Sequence, residues 1–348
     1  MIRTAAGCIA AAVLFCLPVF ARPSTSANCA VLMDAATGRV LYEQNASQRS
    51  LIASTTKIMT ALLAIEECDL RWEVRVPKEA VGVEGSSLYL KENEILTVEE
   101  LLYGLMLHSG NDAAVTLAMH CSGSVEAFAE KMNRKAEALG LANTHFVNPH
   151  GLDGEEHFST AYDLARLTAY AMEDPVFRKI VSTKTITFGH RTFTNHNKLL
   201  WQYEHAVGVK TGYTNAAGRI LVSAAEKNGR RLICVTIHDR NDWQDHIGLY
   251  DYGFSTFARK ELVAAGQCVA EVPVICGSEA SVHAVTDAAF SYPLAAQERV
   301  ELRAQLPAFV YAPVMAGEKA GNLIVLVDGI EVKSLPLYWR YSVWEEAS

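Results

Sequence analysis

Strand-like segments stand at both ends of the first 260 residues of this chain, with helical patterning between them, and no other feature constrains the fold as much. Ala30-Val31-Leu32-Met33 and Val40-Leu41-Tyr42 flank a turn at Ala36-Thr37-Gly38 and read as an antiparallel hairpin. Residues 219–223 and 231–235, joined across Lys227-Asn228-Gly229, read as a second hairpin, since Asn-Gly suits a two-residue turn with positive φ. Between them, a helix from Ser54 to about Glu67 places Ile58, Leu62 and Ile65 on one stripe. Thr97 and Glu100 form a capping box ahead of residues 101–106. Further helices are expected from Ser124 to Leu139 with Gly140 as the stop, after Ser159-Thr160, and from about Trp243 to Lys260. The spacing predicts a mixed α/β domain, a mainly antiparallel sheet covered by helices, over residues 22–260. After Leu262 short alternating strands with turns at Gly277, Gly317, Gly321 and Asp328-Gly329 predict a small all-β domain over 261–348.

The start of the chain points to export. Arg3, an apolar run at residues 10–15 and Val19-Phe20-Ala21 fit a signal peptide over 1–21. Ala5-Ala6-Gly7-Cys8 faintly resembles a lipoprotein box, but the apolar core follows the cysteine, so lipidation there is not expected. Of the eight cysteines, those at 29, 68, 121, 234, 268 and 276 remain after cleavage, with no C-x-x-C pair to suggest zinc or a redox motif. Cys268 and Cys276 flank a β-like stretch and are the candidate disulfide, with buried thiols as the alternative reading. A net charge of −8 without a basic block disfavours nucleic acid. No second run of 18 apolar residues is long enough to cross a membrane.

Three short motifs carry the chemistry: Ser54-Thr55-Thr56-Lys57, Ser109-Gly110-Asn111 and Lys210-Thr211-Gly212. Singly they are weak, because an S-x-x-K or S-x-N match arises about once by chance in such a chain, and Ser26-Ala27-Asn28 is a decoy of that kind. Order and context strengthen them. A serine hydroxyl needs a base, and Lys57, three residues on, shares a helix face with Ser54. An ordinary lysine is protonated at neutral pH, so burial or a second cation must depress its pKa, and Lys210 is the candidate cation. Ser109 is the expected proton relay, and Asn111 either orients substrate or holds Lys57. Lys210 and Thr211 offer charge and a hydroxyl to a carboxylate. Gly212 lets a substrate backbone approach, and the Tyr213 backbone N–H is an expected oxyanion donor beside the start of the Ser54 helix.

At these residues the chain resembles the serine-type D-alanyl-D-alanine carboxypeptidases, the low-molecular-mass penicillin-binding proteins that share a fold with class A β-lactamases. Asn148-Pro149-His150-Gly151-Leu152-Asp153, Asn195-His196-Asn197-Lys198-Leu199-Leu200 and Tyr250-Asp251-Tyr252-Gly253-Phe254 extend the likeness. The resemblance implies a β-lactamase/transpeptidase-like domain followed by the family's C-terminal β domain. It implies Ser54 as acylated nucleophile, Lys57 as base, Ser109 and Asn111 as relay and orienting pair, and Lys210 with Thr211 at the terminal carboxylate. Arg240 resembles a family arginine near that carboxylate, and His150 reads as loop packing. The implied partners are a peptidoglycan stem peptide ending in D-Ala-D-Ala and β-lactams as covalent inhibitors, with no metal or organic cofactor. The end of the chain lacks the basic amphipathic helix that anchors many relatives, leaving peripheral membrane or cell-wall association open. Two other readings compete: a β-lactamase using Glu155 or Glu156, and a non-enzymatic penicillin-binding sensor or scaffold.

Overall fold

The two expected hairpins lie side by side in one sheet in the computed structural model, which describes residues 22–346; the segment read as a signal peptide lies outside the described residues. Cys29–Asp34 (β1) turns through Thr37 and Gly38 into Val40–Gln44 (β2). A tight 3-10 turn, Ala53–Thr56, leads into Lys57–Glu67 (α1). Glu73–Arg75 (β3) pairs with Ile95–Thr97 (β4), which runs into Val98–Tyr103 (α2) through the predicted capping box. A π-helical turn, Gly104–His108, precedes Asn111–Ser122 (α3). Val125–Ala138 (α4), capped by Ser124, Ala161–Ala171 (α5), capped by Thr160, and Pro175–Ser182 (α6) follow. Thr185–Phe188 (β5) and Arg191–Thr194 (β6) form a small hairpin before Leu199–Gln202 (α7). Ala206–Thr214 (β7), Gly218–Lys227 (β8) and Arg230–Ile237 (β9) form the rest of the main sheet, and Asp242–Thr256 (α8) crosses it.

The sheet order is β2-β1-β9-β8-β7, antiparallel throughout. Alternate residues of β1 serve two cores: Val31 and Met33 join α1, α3 and α5, while Ala30 and Leu32 join Leu249 and Tyr250 of α8. A strand buried on both faces has no polar side, which is why the sequence of β1 reads as an unbroken apolar run. The β8–β9 turn uses Asn228 and Gly229 at φ of 52° and 71°, as the Asn-Gly pair predicts. For α1 the single stripe falls short. Every residue from Lys57 to Ala64 is buried, so this is a central helix, enclosed all round.

Ala258–Val263 (β10), Cys268–Ile275 (β11), Ser281–Thr286 (β12), Phe290–Leu294 (β13), Val300–Gln305 (β14), Val310–Tyr311 (β15), Lys319–Val327 (β16) and Ile330–Trp339 (β17) complete the chain. Six of them make a sheet ordered β14-β16-β17-β12-β11-β15 with its own core around Val282, Val325 and Leu337, while β10 pairs with β13.

Three local expectations change. The last helix ends at Thr256 instead of near Lys260, because the Arg230 guanidinium donates to the carbonyls of Gly253 and Phe257 and the chain leaves as strand β10. Gly321 lies inside β16 and not in a turn: a Cβ there would fall 2.1 Å from the Gln305 carbonyl oxygen of the neighbouring strand. Cys268 and Cys276 are both free and exposed. They sit at opposite ends of β11, about 3.3 Å apart per residue, far beyond the Cα separation a disulfide spans.

Arg39, in the first hairpin, ties the core under α8 to the β10–β13 ladder. Its guanidinium donates to the Pro293 carbonyl and to Glu298, and it lies 5.1 Å from the Phe257 ring centroid and 5.0 Å from that of Tyr292. Deeper in, Arg230 Nε donates to Asp34 Oδ2 at 2.7 Å, with both side chains buried. Arg230→Ala strands a buried carboxylate and uncaps α8, so urea unfolding is expected to show a loss of about 3–5 kcal/mol; a loss under about 1 kcal/mol counts against the pair as a structural joint.

Candidate active site

The chain enters α1 through a strained turn. Ala53, at φ 44°, begins the 3-10 turn that lifts Ser54 toward solvent while Thr55 and Thr56 point inward. Thr55 Oγ1 donates to the Ile52 carbonyl at 2.6 Å and Thr56 Oγ1 to the Ala53 carbonyl at 2.9 Å. His157 braces the same turn. Its Nδ1 accepts from the Val147 backbone N–H at 3.1 Å, which leaves the proton on Nε2 to donate to Thr56 Oγ1 at 2.8 Å. Burial pushes the His157 pKa down to about 4, so the ring stays neutral in this role.

Lys57 is completely buried, and its Nζ has three partners: Asn111 Oδ1 at 2.7 Å, the His150 carbonyl at 2.7 Å and Ser54 Oγ at 2.8 Å. Asn111 Nδ2 donates to the Glu84 carbonyl, which fixes its amide with Oδ1 toward the lysine. Two of the three partners can therefore only accept. A neutral amine spends its two N–H groups on them and turns its lone pair to Ser54 Oγ, the one partner able to donate. Burial holds the Lys57 pKa well below the ordinary lysine value; the charge of Lys210 lowers it further, and Asp112 pulls the other way. An amine kept neutral beside a serine hydroxyl can take that proton.

Asp112, which the sequence did not flag, is buried at the start of α3 and accepts from the backbone N–H groups of Leu88 and Leu90 and from Ser87 Oγ. It pins the loop that presents Ser86 to the cleft. On the other side Asn148 Oδ1 accepts from the N–H groups of His150 and Gly151, and Thr60 Oγ1 donates to the Pro149 carbonyl at 2.6 Å. Gly151, at φ +92°, is required: a Cβ would fall 1.9 Å from the Ala53 carbonyl oxygen. His150 contributes its carbonyl, while its ring, lowered to about pKa 3 by burial and then by Lys57, accepts from the Leu152 N–H. His150 therefore faces Lys57 with its backbone carbonyl, while its ring closes the loop on Leu152.

Ser54, Ser109, Thr211, Gly212 and Tyr213 line one cleft, joined by Ser86, His196 and Lys198 and walled by Ile220 and Trp243. Ser109 sits at φ 67° where the π-helical turn ends, a left-handed position that turns it out of the helix between two buried segments. Lys57, Asn111 and Lys210 lie beneath the cleft floor and do not line it. Lys210 is buried, donates to the Thr211 carbonyl at 2.8 Å, and has its pKa pushed down to about 7 by desolvation. At Gly212 a Cβ would meet Ile52 O, Ala53 Cβ and Ser54 N, each at 3.3 Å, so the glycine admits the turn that carries Ser54. Arg240 is exposed on the β9–α8 connection and outside the residues lining the cleft. Arg219 of β8 stands in the cleft instead, held by Asp242 through Nη2 at 2.7 Å and Nε at 3.1 Å. Sequence could have suggested it only through its place two strands' turn from Lys210, opposite Tyr213 in the register. Glu155 and Glu156 are exposed and outside the residues lining the cleft. Among the described residues no cluster of three or more His, Cys, Asp or Glu side chains is arranged to hold a metal ion.

Comparison with known proteins bears on this arrangement. The profile of a family described as D-alanyl-D-alanine carboxypeptidase matches residues 19–241, and that of the penicillin-binding protein 5 C-terminal domain matches 257–344. The chain is 35% identical to D-alanyl-D-alanine carboxypeptidase DacF of Bacillus subtilis, over 89% of its own length and 84% of that protein. It is 34% identical to the carboxypeptidase DacA of Haemophilus influenzae, covering 93% and 86%. Among solved structures, penicillin binding protein 5 from Haemophilus influenzae superposes with a TM-score of 0.81 at 31% identity, covering 94% of this chain and all of that one. The Streptomyces K15 DD-transpeptidase superposes with a TM-score of 0.66 at 34% identity over 68% of this chain and the whole of that one.

Acylation of Ser54 by an activated acyl donor is expected to rise with pH through a limb set by Lys57, lying well below the ~10.4 of a free lysine. Lys210→Met removes a neighbouring positive charge, which favours protonated Lys57, so a pH–rate profile is expected to show that limb moved to higher pH. A limb that stays in place or moves down argues against the coupling of the two lysines.

Proposed function

The chain belongs to the D-alanyl-D-alanine carboxypeptidase family of serine peptidases, and from that membership we propose how its own residues carry the reaction. Ser54 Oγ attacks the carbonyl between the last two D-alanines of a peptidoglycan stem peptide while Lys57 Nζ takes its proton. The N–H groups of Ser54 and Tyr213 hold the oxyanion. The terminal D-alanine leaves as an amine, receiving a proton by way of Ser109, and an ester to Ser54 remains. Water then cleaves the ester, and the serine regains its proton. Thr211, with Lys210 beneath it, receives the terminal carboxylate, and Asn111 keeps Lys57 aimed at the serine. The observation that carries this reading is the buried Lys57 amine 2.8 Å from Ser54 Oγ with its other two partners able only to accept.

The substrate places the enzyme's work outside the cytoplasmic membrane, in keeping with an N-terminal export signal over 1–21 and with residues 22–260 and 261–348 as catalytic and accessory units. Penicillin, whose strained amide stands in for the scissile bond, acylates the same serine. A β-lactamase reading is disfavoured by that family membership, and Asp242, the carboxylate lining the cleft, is engaged by Arg219.

Intact-mass spectrometry after brief exposure to benzylpenicillin is expected to find one adduct, mapped to Ser54 and lost over minutes to hours. Ser54→Ala abolishes the adduct and lowers D-alanine release by about a thousandfold or more. D-alanine release that survives in folded Ser54→Ala overturns the mechanism, and penicillin turnover of hundreds per second transfers the assignment to a β-lactamase.

A further inference from the structure

We propose that Cys68 and Cys121 form a disulfide that ties together the far ends of the two helices whose near ends hold the site. Cys68 closes the C-terminus of α1 and Cys121 lies in the last turn of α3, with their sulfurs 3.2 Å apart. At the opposite ends of the same helices Lys57 and Asn111 meet at 2.7 Å. The bond therefore closes a loop that contains the Asp112-pinned cleft loop, α2, the π-helical turn and Ser109.

The other cysteines have no such partner among the described residues. Cys29 packs in the core on the α1 side of the sheet and Cys234 in the core under α8, while Cys268 and Cys276 are held at the two ends of β11. Cys68 and Cys121 are each partly exposed, so an oxidant reaches them. The hydrogen-bond contact between the two sulfurs holds the Cys68 pKa below the ordinary value, with Lys131 adding to that; the same pairing and burial push Cys121 up. Either thiol can open the exchange, and the electron balance is the same from both.

The proposal rests on the reading that the enzyme works outside the cytoplasm, where disulfides persist. When Cys68 opens the exchange, its thiolate attacks one sulfur of a low-molecular-mass or protein disulfide, releasing one thiolate and forming a mixed disulfide. The Cys121 thiol gives its proton to solvent and attacks Cys68 Sγ, releasing the second thiolate. Two cysteines lose two electrons and two protons in all, and the donor is reduced to two thiols.

The test uses the full purified protein, reduced and then exposed to oxidised glutathione, alkylated under denaturing conditions and mapped by mass spectrometry without reductant. The expected result is a cross-linked peptide pair joining Cys68 to Cys121, with Cys29, Cys234, Cys268 and Cys276 recovered alkylated. The oxidised protein is expected to melt about 5 °C or more above both its reduced form and the Cys68→Ser/Cys121→Ser double variant. Separately alkylated Cys68 and Cys121, a mixed disulfide that stops at either of them, or equal melting of oxidised protein and double variant overturns the proposal. Penicillin acylation of Ser54 in the same sample reports the function on its own: a cross-link without acylation upholds the bond and rejects the enzymatic reading, and acylation without a cross-link does the reverse.

Discussion

Taking a lysine amine fully out of water is costly for its charged form, and the architecture of this enzyme is organised around that fact at Lys57. Removal from water shifts the amine toward neutrality, and a neutral amine still needs its N–H groups satisfied. The fold supplies the partners from three separate places: the first residue of α3, the carbonyl of a loop from beyond α4, and the turn that begins α1 itself. Because two of the three can only accept, the position of the lone pair follows from hydrogen-bond inventory alone. The proton-accepting capacity that faces Ser54 is thus a property of the burial around Lys57 more than of the serine.

Holding those partners still requires a second layer of polar groups, each satisfied. Asp112 gathers backbone N–H groups of the 86–90 loop, Asn148 closes the turn that presents the His150 carbonyl, and neutral His157 clamps Thr56. Gly151 and Gly212 let backbone segments pass within van der Waals contact of the nucleophile's turn. A group displaced here leaves a buried donor or acceptor unpaired, at about 1–3 kcal/mol each. Such interlocked polar packing explains a turn that keeps Ala53 at positive φ.

Much of this is legible in the sequence. The hairpin at Asn228-Gly229, the Thr97–Glu100 box, the caps at Ser124 and Thr160 and the three-residue spacing of Ser54 and Lys57 are decided by neighbours along the chain. What was misread depended on distant partners. The end of α8 is set by Arg230 from another strand, the confinement of Gly321 by Gln305 across a ladder, and the cleft arginine by which strand register faces the opening, which favours Arg219 over Arg240. Cysteines close in sequence proved far apart, and two from different helices proved adjacent.

The sequence by itself determined which chemical groups are present and which stand within a turn of one another, because backbone dihedral preferences and i, i+3 neighbours act over a few residues. It thereby determined the pairing of Ser54 with Lys57, the helix caps and the two hairpins of the main sheet. Only the tertiary structure decided the burial that lowers the pKa values of Lys57 and Lys210, the placing of Asn111 on the lysine and the division between cleft-lining and buried residues. Desolvation and charge proximity are sums over everything packed around a group, and nothing along the chain records that sum until it has folded.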